Sequence, residues 1–159
     1  MRETDGVYSP DQARGLAAIL DTLIPRSDDG RLPGAGELGL ARQLAQRAPE
    51  LAPMVVQALA ILDVLAAERG APDFAGLDPR EREPVLTAWS TEHPLLLPAL
   101  IFHGYAAYYG EQRVVEALGL EHRPPFPLGY PLAPTDPARL DAMRRRPPMY
   151  RSVPPDPKP

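Results

Sequence analysis

The fold class of this chain is indicated first by residues 50–69, ELAPMVVQALAILDVLAAER. Apolar side chains recur there at helical spacing, and further apolar residues stand between them, so the segment is apolar nearly all round. A helix with so little polar surface is typical of the centre of a bundle. The segment therefore predicts a central helix.

Helix start signals stand on both sides of this segment. Ser9-Pro10-Asp11-Gln12 combines an N-cap serine, a proline at the first helical position and a glutamine placed for a capping box. Asp78-Pro79 is a second start signal of this kind. Further helices are predicted over residues 95–109 and around residues 114–118, and no run shows the strict alternation of a strand. The sequence thus predicts an all-α bundle of about six helices over residues 8–119.

Prolines and charged residues are distributed unevenly along the chain. Residues 120–159 hold 12 of the 22 prolines, with 7 basic and 4 acidic side chains, whereas the part before them is acidic. Proline lacks an N–H donor and restricts the residue before it, so this segment cannot form continuous helix or an inner strand. We expect an extended proline- and arginine-rich tail with a short helix near residues 137–146.

Several kinds of site are excluded or disfavoured by the residues. The chain has no cysteine, which excludes disulfides, thiolate metal sites and cysteine nucleophiles. Its three histidines show no metal-binding spacing. Asp28-Asp29-Gly30 lacks the alternating ligands of a calcium loop and is interpreted as a turn. Residues 34–39, GAGELG, match a nucleotide-binding pattern but follow a polar loop and not a strand, so nucleotide binding is not expected.

No charged residue stands between Glu92 and Glu111, a gap of 18 residues that has the length of a membrane span. Prolines, histidines and tyrosines dilute its apolar character, and no basic flank orients it. We therefore expect a buried helix and no direct membrane insertion. Residues 1–6 lack an apolar secretory run and a twin-arginine pair. The expected location is cytoplasmic, or periplasmic only by co-export with a partner.

Two features suggest an interaction surface. Phe102, Tyr105 and Tyr109 recur at helical spacing with Tyr108 beside them, which by default is a core stripe, although tyrosine hydroxyls also suit an interface edge. The tail keeps aromatic anchors between stiff proline segments, and its arginines can pair with carboxylates, so we expect it to be the main contact with a partner. The alternative is that residues 120–135 wrap the chain's own bundle. The candidate partner contacts are Tyr105, Tyr108, Tyr109, Phe126, Tyr130, Arg144, Arg145, Arg146, Tyr150 and Arg151.

Two other classes of function stay open. A small stand-alone enzyme or ligand-binding protein would use His93, His103 and the nearby tyrosines, although no nucleophile stands beside His103 in the sequence. Nucleic-acid binding through the arginines of residues 144–146 is disfavoured by the net charge of −4 and the acidic body, which repel a polyanion.

A family resemblance adds to this picture. Residues 20–25, LDTLIP, followed by Asp28-Asp29-Gly30 and by the GAGELG stretch that enters a helix, resemble the opening of the gluconate 2-dehydrogenase subunit 3 family. Its second half is similar to Gly104-Tyr105, Tyr108-Tyr109-Gly110, Leu118-Gly119 and Gly129-Tyr130-Pro131. The likeness covers roughly residues 10–132 and consists mostly of helix-end and turn residues.

The resemblance implies a small helical subunit that is noncatalytic and holds no cofactor of its own. Members of the family accompany a flavoprotein dehydrogenase of the glucose-methanol-choline oxidoreductase type, which acts on sugars, sugar acids or related alcohols. FAD is then expected in the partner subunit, where the chemistry takes place. Some members carry a twin-arginine signal with which the large partner is exported.

Overall fold

The computed structural model describes residues 7–124 and 126–147 of the chain. Within these residues all regular structure is helical and no strand is present, which confirms the predicted all-α fold. The chain divides into two units, one that ends at His122 and one that begins at Arg123. Each unit is described by itself.

Six α-helices build the first unit, and one short helix lies in the described part of the second. Short 3-10 turns lie between several of these helices and before the last one. The helices are α1 (Pro10–Leu23), α2 (Ala41–Arg47), α3 (Ala52–Ala67), α4 (Pro79–Glu92), α5 (Leu96–Tyr108), α6 (Gln112–Ala117) and α7 (Asp141–Arg144).

The helix starts follow the capping signals of the sequence. Ser9 Oγ accepts from the Gln12 backbone N–H at 3.2 Å, and the Gln12 side chain accepts from the Ser9 N–H at 2.9 Å, which is the predicted capping box. Asp78 accepts from the Arg80 N–H at 2.9 Å and caps α4. These bonds satisfy N–H groups that a helix start leaves without an intrahelical partner.

The central segment forms α3, but only one side of this helix is covered. α3 contacts α1 and α4, whereas Val64 on its other side is 61% exposed. The helix predicted to be central thus packs on two neighbouring helices, but it is covered on one side only. Among the described residues, Pro49–Ala67 has a mean hydropathy of 1.7 and is long and apolar enough to cross a membrane, and a third of it is buried.

The glycines of the GAGELG stretch pack against α1. A Cβ on Gly34 would lie 2.0 Å from Asp21 Oδ1, and one on Gly36 would lie 2.7 Å from the Ala17 carbonyl oxygen. Asp21 Oδ1 in turn accepts from the Gly36 N–H at 3.3 Å. The glycines therefore allow the loop to approach α1 closely, which gives the pattern a packing role.

The core joins residues from α1, α3, α4 and α5. An ion pair between Arg14 of α1 and Asp73 ties the first helix to the turn before α4, and Asp63 of α3 accepts from the Phe74 N–H of that same turn at 3.0 Å. Fully buried side chains include Leu16, Ile19, Leu20, Val55, Leu62, Phe74, Val85, Leu100 and Tyr108.

In the second unit, the described residues contain a single helical segment. A 3-10 turn over Pro137–Leu140 leads into α7, and Asp136 accepts from the Ala138 N–H at 3.0 Å to cap it. Arg144 pairs with Asp141 one turn earlier. The residues on either side of this segment have no regular secondary structure where the chain is described.

Candidate partner-binding surface

The buried side of α5 combines large residues with the small residues Gly104 and Ala107. Gly104 approaches Leu20 of α1 so closely that a Cβ there would lie 3.2 Å from Leu20 Cδ2. A glycine at this point of the helix allows that close approach. The buried residues of α5 are Leu96, Leu100, Gly104, Ala107 and Tyr108.

The opposite side of α5 is aromatic and open to solvent. Phe102 is 70% exposed, Tyr109 50% and Tyr105 39%, so the default interpretation of these three residues as a core stripe is wrong. The prediction of a buried helix holds for one side of α5 only. Leu96, Leu100 and Tyr108 face the bundle together with Gly104 and Ala107, whereas these three rings point outward.

Tyr108 lies on the buried side and is only 2% exposed. Its hydroxyl donates to the Pro33 carbonyl oxygen at 2.8 Å. Burial raises the pKa of this hydroxyl, with smaller contributions from Tyr109 and Glu37, so the group stays protonated and keeps donating at neutral pH. Tyr108 therefore belongs to the core, and its place among the predicted partner contacts is corrected.

The exposed rings are arranged in contact with one another. Tyr105 and Tyr109 stack with ring centroids 5.8 Å apart and an interplanar angle of 9°. Phe102 meets His103 edge to face at 5.1 Å. Rings that already contact one another lose less conformational freedom when a partner covers them.

A groove of about 280 Å³ lies between α3 and the junction of α4 and α5. Trp89 forms part of its wall, and the His93 ring stacks on the indole with centroids 5.3 Å apart. The indole Nε1 of Trp89 is buried and has no acceptor among the described residues. The rest of the lining is mostly apolar and includes Met54, Ile61, Leu95 and Leu96.

The two histidines named in the sequence contact different aromatic rings. His93 lies on Trp89 beside the groove, whereas His103 contacts Phe102 on α5. His103 does not line this groove. In the part of the chain that the structure describes, no group of three or more His, Asp or Glu side chains is placed to hold a metal ion.

The tail residues named as contacts fall into two groups. Phe126 is 84% exposed, whereas Tyr130 is engaged within the tail, because its ring lies under the Arg123 guanidinium at 4.8 Å and its hydroxyl donates to the Arg123 carbonyl at 2.6 Å. Arg144 and Arg145 bond to Asp141 of their own helical turn, and Arg146 is exposed. Tyr150 and Arg151 lie outside the described residues.

The matched part of the chain is the helical body. A family model described as gluconate 2-dehydrogenase subunit 3 matches residues 10–113, from the start of α1 to the beginning of α6. The chain belongs to this family. No curated protein and no solved structure gives a significant match.

The match of the gluconate 2-dehydrogenase subunit 3 family includes α5 and the groove but not the tail. Tyr105 and Tyr109, named from the sequence of this family member, lie on the exposed side of α5. The sequence analysis did not name Leu95, which is 81% exposed, or the groove beside it. The groove has no signal in the sequence, since its walls come from separate helices.

Proposed function

We propose that this chain is a noncatalytic subunit that binds and stabilises a FAD-dependent dehydrogenase of the glucose-methanol-choline type, which acts on sugars or related alcohols. The observation that carries the proposal is the family match over residues 10–113. A protein of a family named as a dehydrogenase subunit works together with other subunits. In this proposal FAD and the catalytic residues belong to the larger partner.

The surface of the body supports a role in assembly. The outward rings of α5 form an apolar face without a charged residue. Large exposed apolar patches on a folded domain are typical of protein contacts. A subunit that covers an apolar region of its partner would also slow the partner's unfolding, because it binds the folded state only.

The compartment is part of the same proposal. We place the subunit in the cytoplasm, or in the periplasm when its partner carries it across the membrane. Fractionation of host cells that produce the full-length protein tests this, because a periplasmic fraction that contains the subunit only when the partner is present would indicate co-export.

A ligand-binding protein is the second candidate, and the groove beside Trp89 and His93 favours it. Its volume of about 280 Å³ approaches the lower end of the range for small-molecule sites. The ring of His93 and the carboxylate of Glu92 border this groove. A small molecule that binds the purified chain and is lost on His93→Ala would support this candidate.

The proposal is tested by purifying the tagged chain from its native host and identifying what it retains. We expect a larger protein with bound flavin, which reduces a dye acceptor when a sugar or related alcohol is added. The same flavoprotein without the subunit should lose activity faster on warming. Mass spectrometry and the flavin absorption spectrum identify the partner.

The purified chain alone serves as the control for catalysis. It should give no turnover with the dye acceptor and the same substrates. Turnover by the chain alone that falls to background in His103→Ala would contradict the proposal and favour a stand-alone enzyme. Absence of any flavoprotein among the retained proteins would also contradict it.

The tail is proposed as a second contact. Phe126 is exposed, and Arg146 is one of the arginines available to carboxylates of the partner. A chain shortened after His122 should remain helical by circular dichroism and should bind the partner less tightly. Undiminished co-elution of the shortened chain with the partner would remove the tail from the proposal and leave the subunit role standing.

A further inference from the structure

We propose that the outer side of α5 is the surface on which an apolar helix of the catalytic subunit docks, and that the groove at its start receives a side chain of that subunit. This inference rests on the proposed function and names the surface through which it acts. It also assigns a use to Trp89 and its groove.

The α5 stripe is defined as the row of outward residues along this helix. Successive members are separated by steps of three and four residues, which is the spacing of the contact positions in a coiled-coil helix. The two residues that border α5, at its start and end, have right-handed helical backbone angles, so the row continues past both ends of the helix and spans about 21 Å. The members are Leu95, Pro98, Phe102, Tyr105 and Tyr109.

The stripe is exposed along its whole length. Leu95 is 81% exposed and Phe102 70%, and Pro98, Tyr105 and Tyr109 are also exposed. Single exposed apolar residues are normal on a protein surface, but a continuous row indicates a contact site. Tyrosine and other aromatic residues are enriched at the centres of interfaces, where they contribute much of the binding energy.

The groove continues the stripe at its amino-terminal end. Leu95 is both the first member of the stripe and part of the groove lining. A helix laid along the stripe therefore passes the mouth of the groove, and one of its side chains can enter between Met54 and Trp89. A carbonyl or side-chain oxygen that accompanies it would supply the acceptor that the Trp89 Nε1–H lacks among the described residues.

The charge of the helical body disfavours a second copy of the chain and an anionic lipid surface as occupants of the stripe. Residues 7–122 contain 16 acidic and 9 basic side chains, a net charge of −7. A second copy of the chain would bring two negative bodies together, and an anionic lipid surface would be repelled as well. The stripe itself is uncharged and lies between Glu92 and Glu111. The fitting partner is apolar along its centre, with basic residues near each end of the contact.

The test uses the full chain and the flavin-containing subunit isolated with it. Phe102→Asp and Tyr105→Asp each place a charge in the stripe, and we expect the dissociation constant of the complex to rise about tenfold or more. Val64→Asp is the matched control, because Val64 is an exposed apolar residue of α3 that lies outside both the stripe and the groove lining. It should change the dissociation constant less than about twofold. Circular dichroism and thermal unfolding check that each variant is folded.

Trp89 reports on the groove directly, because it is the only tryptophan in the chain. Chain labelled with 5-fluorotryptophan gives one fluorine resonance, which remains visible when the unlabelled catalytic subunit is added. We expect this resonance to shift in the wild-type complex and in the Val64→Asp complex. In the Phe102→Asp variant, the shift should require a correspondingly higher concentration of the partner.

The outcomes separate this inference from the proposed function. If the complex forms equally well with Phe102→Asp and Tyr105→Asp, the docking surface is wrong and the subunit role stands. If the wild-type complex forms and the fluorine resonance does not move, the groove has no part in docking. If the wild-type chain binds no flavoprotein, the docking inference and the proposed subunit function both fail. A chain that elutes as a dimer, and as a monomer after Phe102→Asp, would assign the stripe to a second copy and overturn the inference.

Discussion

The Tyr108 hydroxyl donates a hydrogen bond of 2.8 Å to the carbonyl oxygen of Pro33. This bond joins the carboxyl end of α5 to the loop that leads into Gly34 and Gly36, and that loop packs on α1. One side chain thus connects the helix that carries the exposed stripe to the loop that packs on α1.

Tyr108→Phe should lower the free energy of unfolding by about 1–2 kcal/mol, because it removes this bond and leaves the Pro33 carbonyl without its donor. Urea or thermal unfolding measures the loss. Tyr109→Phe is the matched control, since Tyr109 is half exposed and its hydroxyl should contribute little. Equal effects of the two variants would show that the bond does not contribute to stability.

Gly34→Ala should destabilise the body by about 1–2 kcal/mol. The backbone of Gly34 has φ −67° and ψ 150°, which alanine can adopt, but the new Cβ would displace Asp21 and break its bond to the Gly36 N–H. In an Asp21→Ala background the same substitution should therefore cost less, and a double-mutant cycle by thermal unfolding measures the difference.

Gly36→Ala provides the contrast to this prediction. Its Cβ would meet the Ala17 backbone carbonyl at 2.7 Å, and backbone cannot rotate away as a side chain can. We expect a loss of at least about 2 kcal/mol that Asp21→Ala does not relieve. If Asp21→Ala restores the lost stability of Gly36→Ala as fully as that of Gly34→Ala, the proposed contact with the Ala17 carbonyl is wrong.

Leu100→Ala and Phe102→Ala should differ strongly in their effect on stability. Leu100 is 1% exposed and Phe102 is 70% exposed. Leu100→Ala leaves a cavity in the core and should lower the free energy of unfolding by about 2–5 kcal/mol. Phe102→Ala should change it by no more than about 0.5 kcal/mol. Chemical denaturation of the two variants tests which side of α5 faces the core. A larger loss from Phe102→Ala would mean that the helix is turned the other way.

The Arg14–Asp73 ion pair should make stability depend on acid pH. Burial raises the pKa of the Asp73 carboxyl, but hydrogen bonds from Arg14 and the Gly76 N–H and the charge of Arg14 outweigh it and hold the pKa below its ordinary value. The stabilisation is therefore present above the ordinary aspartate pKa, about 3.9, and is lost as pH falls through the lower pKa of the folded state.

The measurement compares the wild type with Asp73→Asn over a range of pH. At neutral pH the wild type should have a higher melting temperature than Asp73→Asn. The difference between the two melting temperatures should shrink below about pH 4. Added salt should reduce the part that comes from the charge of Arg14. A difference that is constant down to pH 2 would contradict the assignment.

Local signals were sufficient for the helices and for the family. The capping box at Ser9 and Gln12 and the cap at Asp78 predicted where α1 and α4 begin, because both depend on residues within one turn of chain. The turn residues around the GAGELG stretch carried the family resemblance, which the match over residues 10–113 confirms. Proline density indicated where continuous helix ends.

The sequence by itself thus determined the helical fold class, the helix starts and the family of this protein. Only the tertiary structure decided which side of α3 and α5 is buried, because a helix that is apolar on both sides has no periodic signal to choose between them. On α5 the buried side is the one with Leu100 and Tyr108, where Gly104 closely approaches Leu20. The groove at Trp89 arose in the same way, since residues from three helices meet there only after packing.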